Sequence, residues 1–266
     1  MIIDFHTHIF PDKIAEGAIA SLKENANKGK YNVINHTDGT LTGLINSMEE
    51  KGVDMSIVLP VATSPHQTES INNFAETVRN EKVVSFGGIH PLNENTEEIL
   101  EDLKKRGFKG IKLHPEYQQC DIDSPESIRI LKKAEELEMY TVLHAGIDVG
   151  IEPPLHCSPK QLKNALNYVS GKYIIASHMG GFDMFDEVEK YLVGTNVYFD
   201  TSAIMRMIKK EQFKRILKNH GSEKILFATD SPWGDAKEYA EILKGFDLTK
   251  EEYDNITHKN ALNILK

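Results

Sequence analysis

Two histidines, His6 and His8, lie two positions apart at the end of an apolar run, in DFHTH at 4–8. Side chains two apart on a β-strand point to the same face, so we expect both rings to face one site and Thr7 to face away from it. Two neutral imidazoles on one rigid strand suit a borderline metal such as zinc, whose sites combine histidine nitrogen with carboxylate oxygen. The motif is short, and the pair could also end an ordinary strand.

Polar side chains follow other apolar runs in the same way. Of the 11 histidines in the chain, six follow predicted strands, and two further predicted strands end in aspartate. A single histidine at such a position is most simply a packed or surface residue, but this concentration is hard to explain by packing. The residues are His6, His8, His90, His114, His144 and His178, with Asp200 and Asp230.

Two aspartates have alternative roles. Asp230, in DSPWG, could be a helix N-cap, or a carboxylate that faces the histidines and accepts a proton from a metal-activated water. The two roles are compatible. Asp4 is in phase with His6, and we expect it to be a buried support for a ligand rather than a ligand itself.

The elements that would position these residues alternate along the whole chain. Eight short apolar runs are predicted strands, at 2–5, 53–60, 83–89, 108–113, 140–143, 172–177, 196–202 and 224–229. Segments between them have apolar residues at helical spacing, as at 41–52, 96–107 and 124–138. Gly52 and Gly107 suit helix ends, and Ser124 followed by proline suits a helix start.

This alternation predicts an α/β fold, a (β/α)8 TIM barrel formed as a single domain by residues 1–266, with extra helices at about 248–266 packed outside. A barrel brings the strand-end residues to one mouth. An open doubly wound sheet is the competing fold, because a strand count alone does not prove closure.

Composition restricts the partners. Lys and Arg total 31 against 40 Asp and Glu, and the net charge of −9 works against binding to nucleic acid or anionic membranes. We expect a cytoplasmic protein that acts on a small molecule. Its oligomeric state stays open, and a homo-oligomer is one of the alternatives. Cys120 and Cys157 lack the spacing of a metal site or disulfide framework and are expected to be free thiols.

Several motifs together carry a family resemblance. They are DFHTHIFPDKI at the start, GIKLHPEYQ at 110–118, LHAG at 143–146, SPKQL at 158–162, IIASHMGGFD at 174–183, NVYFDTS at 196–202 and ILFATDSPWG at 225–234. In this order the chain resembles the amidohydrolase superfamily, most closely its amidohydrolase-related branch of hydrolases and non-oxidative decarboxylases. The resemblance implies a distorted barrel that holds one or two divalent metals, usually zinc.

The resemblance also implies roles for particular residues. His6 and His8 match the strand-one ligand pair, His144 the strand-five ligand and Asp230 the strand-eight aspartate, which also handles the proton of the attacking water. His178 matches a histidine that ligates a second metal in binuclear members and acts as a catalytic acid or base in mononuclear ones. Which of these roles it has here is open.

Lys112 is the most ambiguous position. It could carry a carbamate that bridges two metals, be an ammonium that pairs with a substrate carboxylate, or be a structural ion-pair partner. We favour the ammonium, and expect Lys112, His114 and Trp233 to contact substrate. His114 could instead be a solvated loop residue.

The preferred function is a metal-dependent hydrolase in which activated water attacks an amide, lactone or ester carbonyl of a small molecule. The alternative, a metal-dependent decarboxylase, would use the same ligands. A TatD-like or PHP-like phosphoesterase ranks lower, because Lys112 stands where TatD-like enzymes have glutamate and the late D-x-H of PHP enzymes is absent after Asp230. A non-catalytic metal-binding protein is disfavoured, because no ligand position is missing.

Overall fold

A computed structural model describes residues 1–28 and 31–266 of the chain. The described strands overlap all eight predicted runs, and the run at 83–89 holds two of them on either side of Phe86. The strands are β1 (Ile3–Thr7), β2 (Met55–Val58), β3 (Val83–Ser85), β4 (Gly87–Gly88), β5 (Gly110–Leu113), β6 (Tyr140–Leu143), β7 (Ile174–Ala176), β8 (Tyr198–Asp200) and β9 (Ile225–Leu226).

The sheet closes on itself. All strand pairs are parallel, in the order β1-β2-β3 and β4-β5-β6-β7-β8-β9, and β3 and β4 are consecutive parts of one extended segment. The last strand meets the first where the Phe5 N–H donates to the Phe227 carbonyl at 2.9 Å, and a parallel bridge joins Thr7 to Ser231. The predicted TIM barrel is therefore confirmed, and the open sheet is excluded.

Helices surround the strands, and none of those described combines the length and the apolar character that a membrane span needs. They are α1 (Asp12–Ala26), α2 (Leu41–Lys51), α3 (Thr68–Thr77), α4 (Thr96–Lys105), α5 (Pro115–Gln118), α6 (Pro125–Glu136), α7 (Pro159–Ala165), α8 (Phe185–Tyr191), α9 (Lys210–His220), α10 (Ala236–Lys244), α11 (Lys250–Asp254) and α12 (Asn260–Leu265).

The helix signals in the sequence correspond to real ends. Gly52 and Gly107 follow α2 and α4 with φ of 71° and 79°, a conformation that glycine accepts without strain. Ser124 caps α6, where its side chain accepts from the Ser127 N–H at 3.2 Å. Both cysteines are free.

The barrel interior holds an apolar cluster below the polar mouth. Its members come from strands around the barrel and from the C-terminal tail: Ile3, Phe5, Ile57, Leu59, Phe86, Val142, Ile175, Leu226, Ala228, Ala261 and Ile264. Helices α11 and α12 lie in the tail, which the sequence predicts to pack outside the barrel, but α12 contributes Ala261 and Ile264 to this cluster. The Asn260 amide also donates to the Ile225 carbonyl at the start of β9, so α12 packs at the N-terminal ends of the strands.

Side chains along β1 do not alternate strictly between the two faces of the sheet. Between Asp4 and Thr7 the strand advances three residues while its partner β2 advances two, which is a β-bulge. Phe5 consequently packs in the interior cluster, and the next residue, His6, still reaches the polar mouth. Period-two reasoning alone would have placed Phe5 and His6 on opposite faces.

Candidate active site

Three ligand atoms converge where β1 ends and the chain leaves β9. His6 Nε2 lies 3.1 Å from His8 Nε2, and Asp230 Oδ1 lies 3.3 Å from the first and 3.2 Å from the second. His6 is buried, whereas His8 and Asp230 are 17% and 16% exposed at the mouth. The cluster is therefore held rigidly on one side and is accessible on the other.

Hydrogen bonds on the far side of each ring decide which nitrogen faces this cluster. His8 Nδ1 lies 2.8 Å from the Leu59 carbonyl, and His6 Nδ1 lies 3.0 Å from Asp200 Oδ2. A carbonyl or carboxylate oxygen only accepts, so each Nδ1 carries the hydrogen and each neutral ring has a bare Nε2. Burial, with Lys112 nearby, lowers the pKa of His6 to about 3, so this ring is neutral at pH 7.

Three acceptors that face one another at these distances repel unless a cation lies between them. The donor set, two imidazole nitrogens and one carboxylate oxygen, is the type that zinc and related divalent ions prefer. The residues present therefore fit a divalent metal, on the chemistry of their donors and the orientation of their rings.

Asp230 is held in the site by its backbone. Its φ is 65°, in the left-handed region that few residues other than glycine adopt, and its N–H donates to the His6 carbonyl at 2.9 Å. Burial alone would raise the pKa of its carboxyl, but the groups around it hold that pKa well below the usual range. Asp230 is not a helix cap, because α10 is capped by Asp235, whose side chain accepts from the Glu238 N–H.

His178 follows β7 and is also in the left-handed region, with φ of 59°. Its backbone N–H donates to Asp200 Oδ1 at 3.0 Å, and its Nδ1 lies 3.0 Å from both the carbonyl and the hydroxyl oxygen of Ser202. Its Nε2 lies 3.0 Å from His144 Nδ1. The structure thus joins two predicted site histidines to each other.

His144 follows β6 and is buried beside the three-atom cluster rather than within it. Its ring stacks on His114 with centroids 4.2 Å apart. Its Nε2 is buried, and among the described residues this atom has no hydrogen-bond partner. An unpartnered buried nitrogen at the mouth is available to a metal or a substrate.

His114, His144 and Asp148 form a second group with ligand atoms within 4.8 Å of one another. His114 Nδ1 accepts from the Tyr117 N–H at 3.4 Å, which leaves the hydrogen on Nε2, 3.4 Å from Asp148 Oδ2. This pair is therefore satisfied without an ion. Burial, together with Lys112, lowers the pKa of His114 well below its ordinary value, and burial raises that of Asp148. His114 is buried, not a solvated loop residue.

Lys112, on β5, is fully buried at the centre of the mouth. Its Nζ lies 3.2 Å from His6 Nε2 and 3.5 Å from Ser177 Oγ. Burial lowers its pKa to about 8. Among residues 1–28 and 31–266, no carboxylate forms an ion pair with its Nζ. A structural ion-pair role for Lys112 is therefore unsupported.

Trp233 lies on the same loop as Asp230, where its N–H donates to the Asp230 carbonyl at 2.8 Å and its indole is half-buried. Its contact with substrate stays a prediction.

Asp200 is the site residue whose role sequence reasoning missed. The sequence pattern places Asp200 at a strand end, but it predicts that Asp4 supports the ligand rings. Asp4 instead accepts from the backbone N–H groups of His6 and Thr229 at 3.3 and 2.9 Å. Asp200, in NVYFDTS, accepts from the His6 ring, and its place at a strand end was the only sequence signal for that role.

The fold and site define the class as a TIM barrel with a polar, histidine-rich mouth, and comparison with known proteins identifies the family. The model of the Amidohydrolase family (Amidohydro_2) matches residues 3–266, so the chain belongs to this family. The family is metal-dependent. A comparison with curated proteins finds no match.

Solved structures share the fold at low identity. A 2,6-dihydroxybenzoate decarboxylase from Rhizobium is 14% identical, with 99% of this chain and 98% of that chain covered and a TM-score of 0.65. A dihydroxybenzoic acid decarboxylase from Polaromonas sp. JS666, with bound manganese and an inhibitor, is 14% identical over 99% and 96%, with a TM-score of 0.66. A probable 2-pyrone-4,6-dicarboxylic acid hydrolase from Acinetobacter baumannii is 17% identical over 99% and 98%, with a TM-score of 0.66.

Proposed function

We propose that this chain is a metal-dependent hydrolase that cleaves an amide, lactone or ester carbonyl of a small molecule. The observation that carries the proposal is the convergence of His6 Nε2, His8 Nε2 and Asp230 Oδ1, three acceptors 3.1 to 3.3 Å apart at an accessible mouth. Membership of the Amidohydrolase family supports the same chemistry.

His6, His8 and Asp230 would hold the metal, with His144 Nε2 as the further ligand and zinc as the expected ion. The chemistry that such an ion supplies is Lewis acidity, which polarises a carbonyl and activates water near neutral pH. His178 is the less suitable ligand, because its Nε2 faces the Nδ1 of His144.

The protein's own groups handle the protons. Asp230 is ionised and accepts the proton of the attacking water, which it passes to the leaving amine or alkoxide. The Nδ1 of His178 is committed to Ser202, so any proton that His178 exchanges with substrate lies on Nε2. Lys112, His114 and Trp233 orient the substrate.

Decarboxylation of a small carboxylic acid is the second candidate, and Lys112 is the observation that favours it. A buried ammonium with no carboxylate partner among the described residues can accept the carboxylate of a substrate beside the metal. Two of the structural relatives above are decarboxylases, so the shared fold is compatible with either reaction.

A substrate panel separates the two candidates. Zinc-loaded protein is offered lactones, N-acyl amines, cyclic amides and aromatic carboxylates, while acid release and CO₂ release are followed in parallel. Acid release without CO₂ supports the hydrolase, and CO₂ release establishes the decarboxylase. Asp230→Asn should lower kcat by roughly 100-fold or more, the range for loss of a general base.

The exposed Asp247→Asn is the matched control and should leave the rate unchanged. Inactivity across the panel with metal bound would indicate a non-catalytic binding protein.

A further inference from the structure

Asp200, the last residue of β8, is fully buried and accepts hydrogen bonds on both of its oxygens. Oδ2 accepts from His6 Nδ1 at 3.0 Å. Oδ1 accepts from the backbone N–H groups of His178 and Ser202, each at 3.0 Å, and from the Ser202 hydroxyl. One carboxylate therefore contacts the metal-binding strand and the His178 loop at the same time.

The contact between Asp200 and Ser202 also fixes which nitrogen of the His178 ring carries the hydrogen. A serine hydroxyl has one hydrogen, and here it is donated to Asp200, so Ser202 Oγ can only accept from His178 Nδ1. The Ser202 carbonyl, also 3.0 Å from that nitrogen, can only accept. His178 must therefore carry its hydrogen on Nδ1 and present Nε2 to the site.

We propose that Asp200 is a positioning residue that sets which ring nitrogen His6 and His178 turn toward the site, and that metal affinity depends on it. This inference rests on the proposed metal-dependent function and adds to it a residue that touches neither metal nor substrate. Carboxylates that orient ligand histidines typically contribute 10- to 100-fold to metal affinity.

Asp200→Asn tests the proposal because the hydrogen-bond donors around Asp200 predict how the new amide is oriented. The amide oxygen should stay at the Oδ1 position, where three donors converge and two of them are backbone N–H groups that cannot change. The amide NH₂ group then faces His6 Nδ1. The ring can avoid two opposed donors by moving its hydrogen to Nε2, which removes the lone pair needed by a metal.

The first measurement is the tautomer of His6 in metal-free protein, by long-range ¹⁵N–¹H NMR of ¹⁵N-histidine-labelled chains. The His6 signals are identified by their loss in His6→Gln. We expect hydrogen on Nδ1 in the wild type and on Nε2 in Asp200→Asn. A wild-type His6 with hydrogen on Nε2 would overturn the proposal even if the variant failed to fold.

The second measurement is the zinc dissociation constant, by competition with a chromogenic chelator. Asp200→Asn should weaken zinc binding by roughly 10- to 100-fold. Asp247→Asn removes the same charge at an exposed position outside the site, and should leave zinc affinity unchanged. Equal weakening in both variants would contradict positioning.

The two hypotheses fail in different ways. In one outcome the wild type binds no zinc, but the His6 hydrogen moves from Nδ1 in the wild type to Nε2 in Asp200→Asn. The metal-dependent function is then wrong, and the positioning of His6 by Asp200 stands. If zinc binds equally to wild type and Asp200→Asn, and the tautomer does not change, the positioning role is wrong while the metal site survives.

Discussion

Lys112 Nζ lies 3.2 Å from His6 Nε2, the same nitrogen that faces His8 and Asp230. A divalent ion bound to that nitrogen would lie close to the ammonium, and two like charges in a buried site repel. As an ammonium Lys112 would therefore weaken metal binding, whereas as a carbamate it would be a metal ligand.

We predict that Lys112→Met strengthens zinc binding, by roughly tenfold or about 1.4 kcal/mol, because the repulsion is removed. The same variant should raise KM for substrates that carry a carboxylate. Zinc affinity is measured by chelator competition, and Lys82→Met, at an exposed lysine, is the control.

Loss of zinc in Lys112→Met would contradict the ammonium and indicate a carbamate that bridges two metals. A crystal structure of the zinc-loaded wild type gives an independent answer, because a carbamate adds three atoms to Nζ.

Metal content tests the strand-one pair directly. Purified protein should contain about one or two equivalents of zinc or a similar divalent ion, and His6→Ala combined with His8→Ala should remove most of it, because structural and catalytic sites need three or four ligands. Elemental analysis is the measurement. His66→Ala, at an exposed histidine, should keep the wild-type content. Equal metal in wild type and double variant would refute the site.

Stability should fall with decreasing pH because of His220, which lies away from the metal ligands. Its ring stacks on Phe199 at 4.1 Å, Nε2 lies 2.9 Å from the Val197 carbonyl, and burial lowers its pKa from 6.5 to about 4. The unfolded chain binds a proton near pH 6.5 that the folded chain binds only near pH 4. This contribution to the free energy of unfolding is complete above pH 6.5 and declines, by up to roughly 3 kcal/mol, as pH falls to 4.

Urea unfolding of metal-free wild type and His220→Gln between pH 7 and 4.5 measures this contribution. The variant should be less stable at pH 7 and show a shallower decline in stability with falling pH. His66→Gln is the control and should keep the wild-type slope. Identical slopes in wild type and His220→Gln would exclude the assignment.

Two glycine substitutions should have opposite effects on stability. Gly17 is exposed within α1, and an added Cβ would have nothing within 4 Å, so Gly17→Ala should stabilise by about 0.5 to 1 kcal/mol. At Gly110 the Cβ would lie 2.3 Å from the Tyr140 carbonyl oxygen and 2.5 Å from Phe86 Cε2. Gly110→Ala should therefore destabilise by about 1 to 3 kcal/mol, the usual cost of overpacking.

The shift in urea midpoint at constant m-value gives both energies. If Gly110→Ala were more stable than the wild type, the residues packed against β5 would have to move at little energetic cost, contrary to the packing seen there.

The local sequence pattern determined the strands, the helix ends and the side of the barrel on which the site lies. Apolar runs that alternate with helical segments specify strand after strand, and parallel strands of a barrel present their C-terminal ends at one mouth. This is why His6, His144 and Asp230, which are far apart along the chain, could be predicted to lie near one another from order alone. Helix ends at Gly52 and Ser124 followed from backbone and capping preferences within a few residues.

The tertiary structure alone decided which partner each side chain meets. The bulge in β1 places both Phe5 and His6 inside the barrel, which no period-two pattern predicts. Asp200 reaches His6 across 194 residues, and His178 pairs with His144 across 34. Such contacts depend on strand register, twist and barrel closure, which are set by the packing of all the strands together, whereas hydrophobic period and turn residues are local properties of the chain.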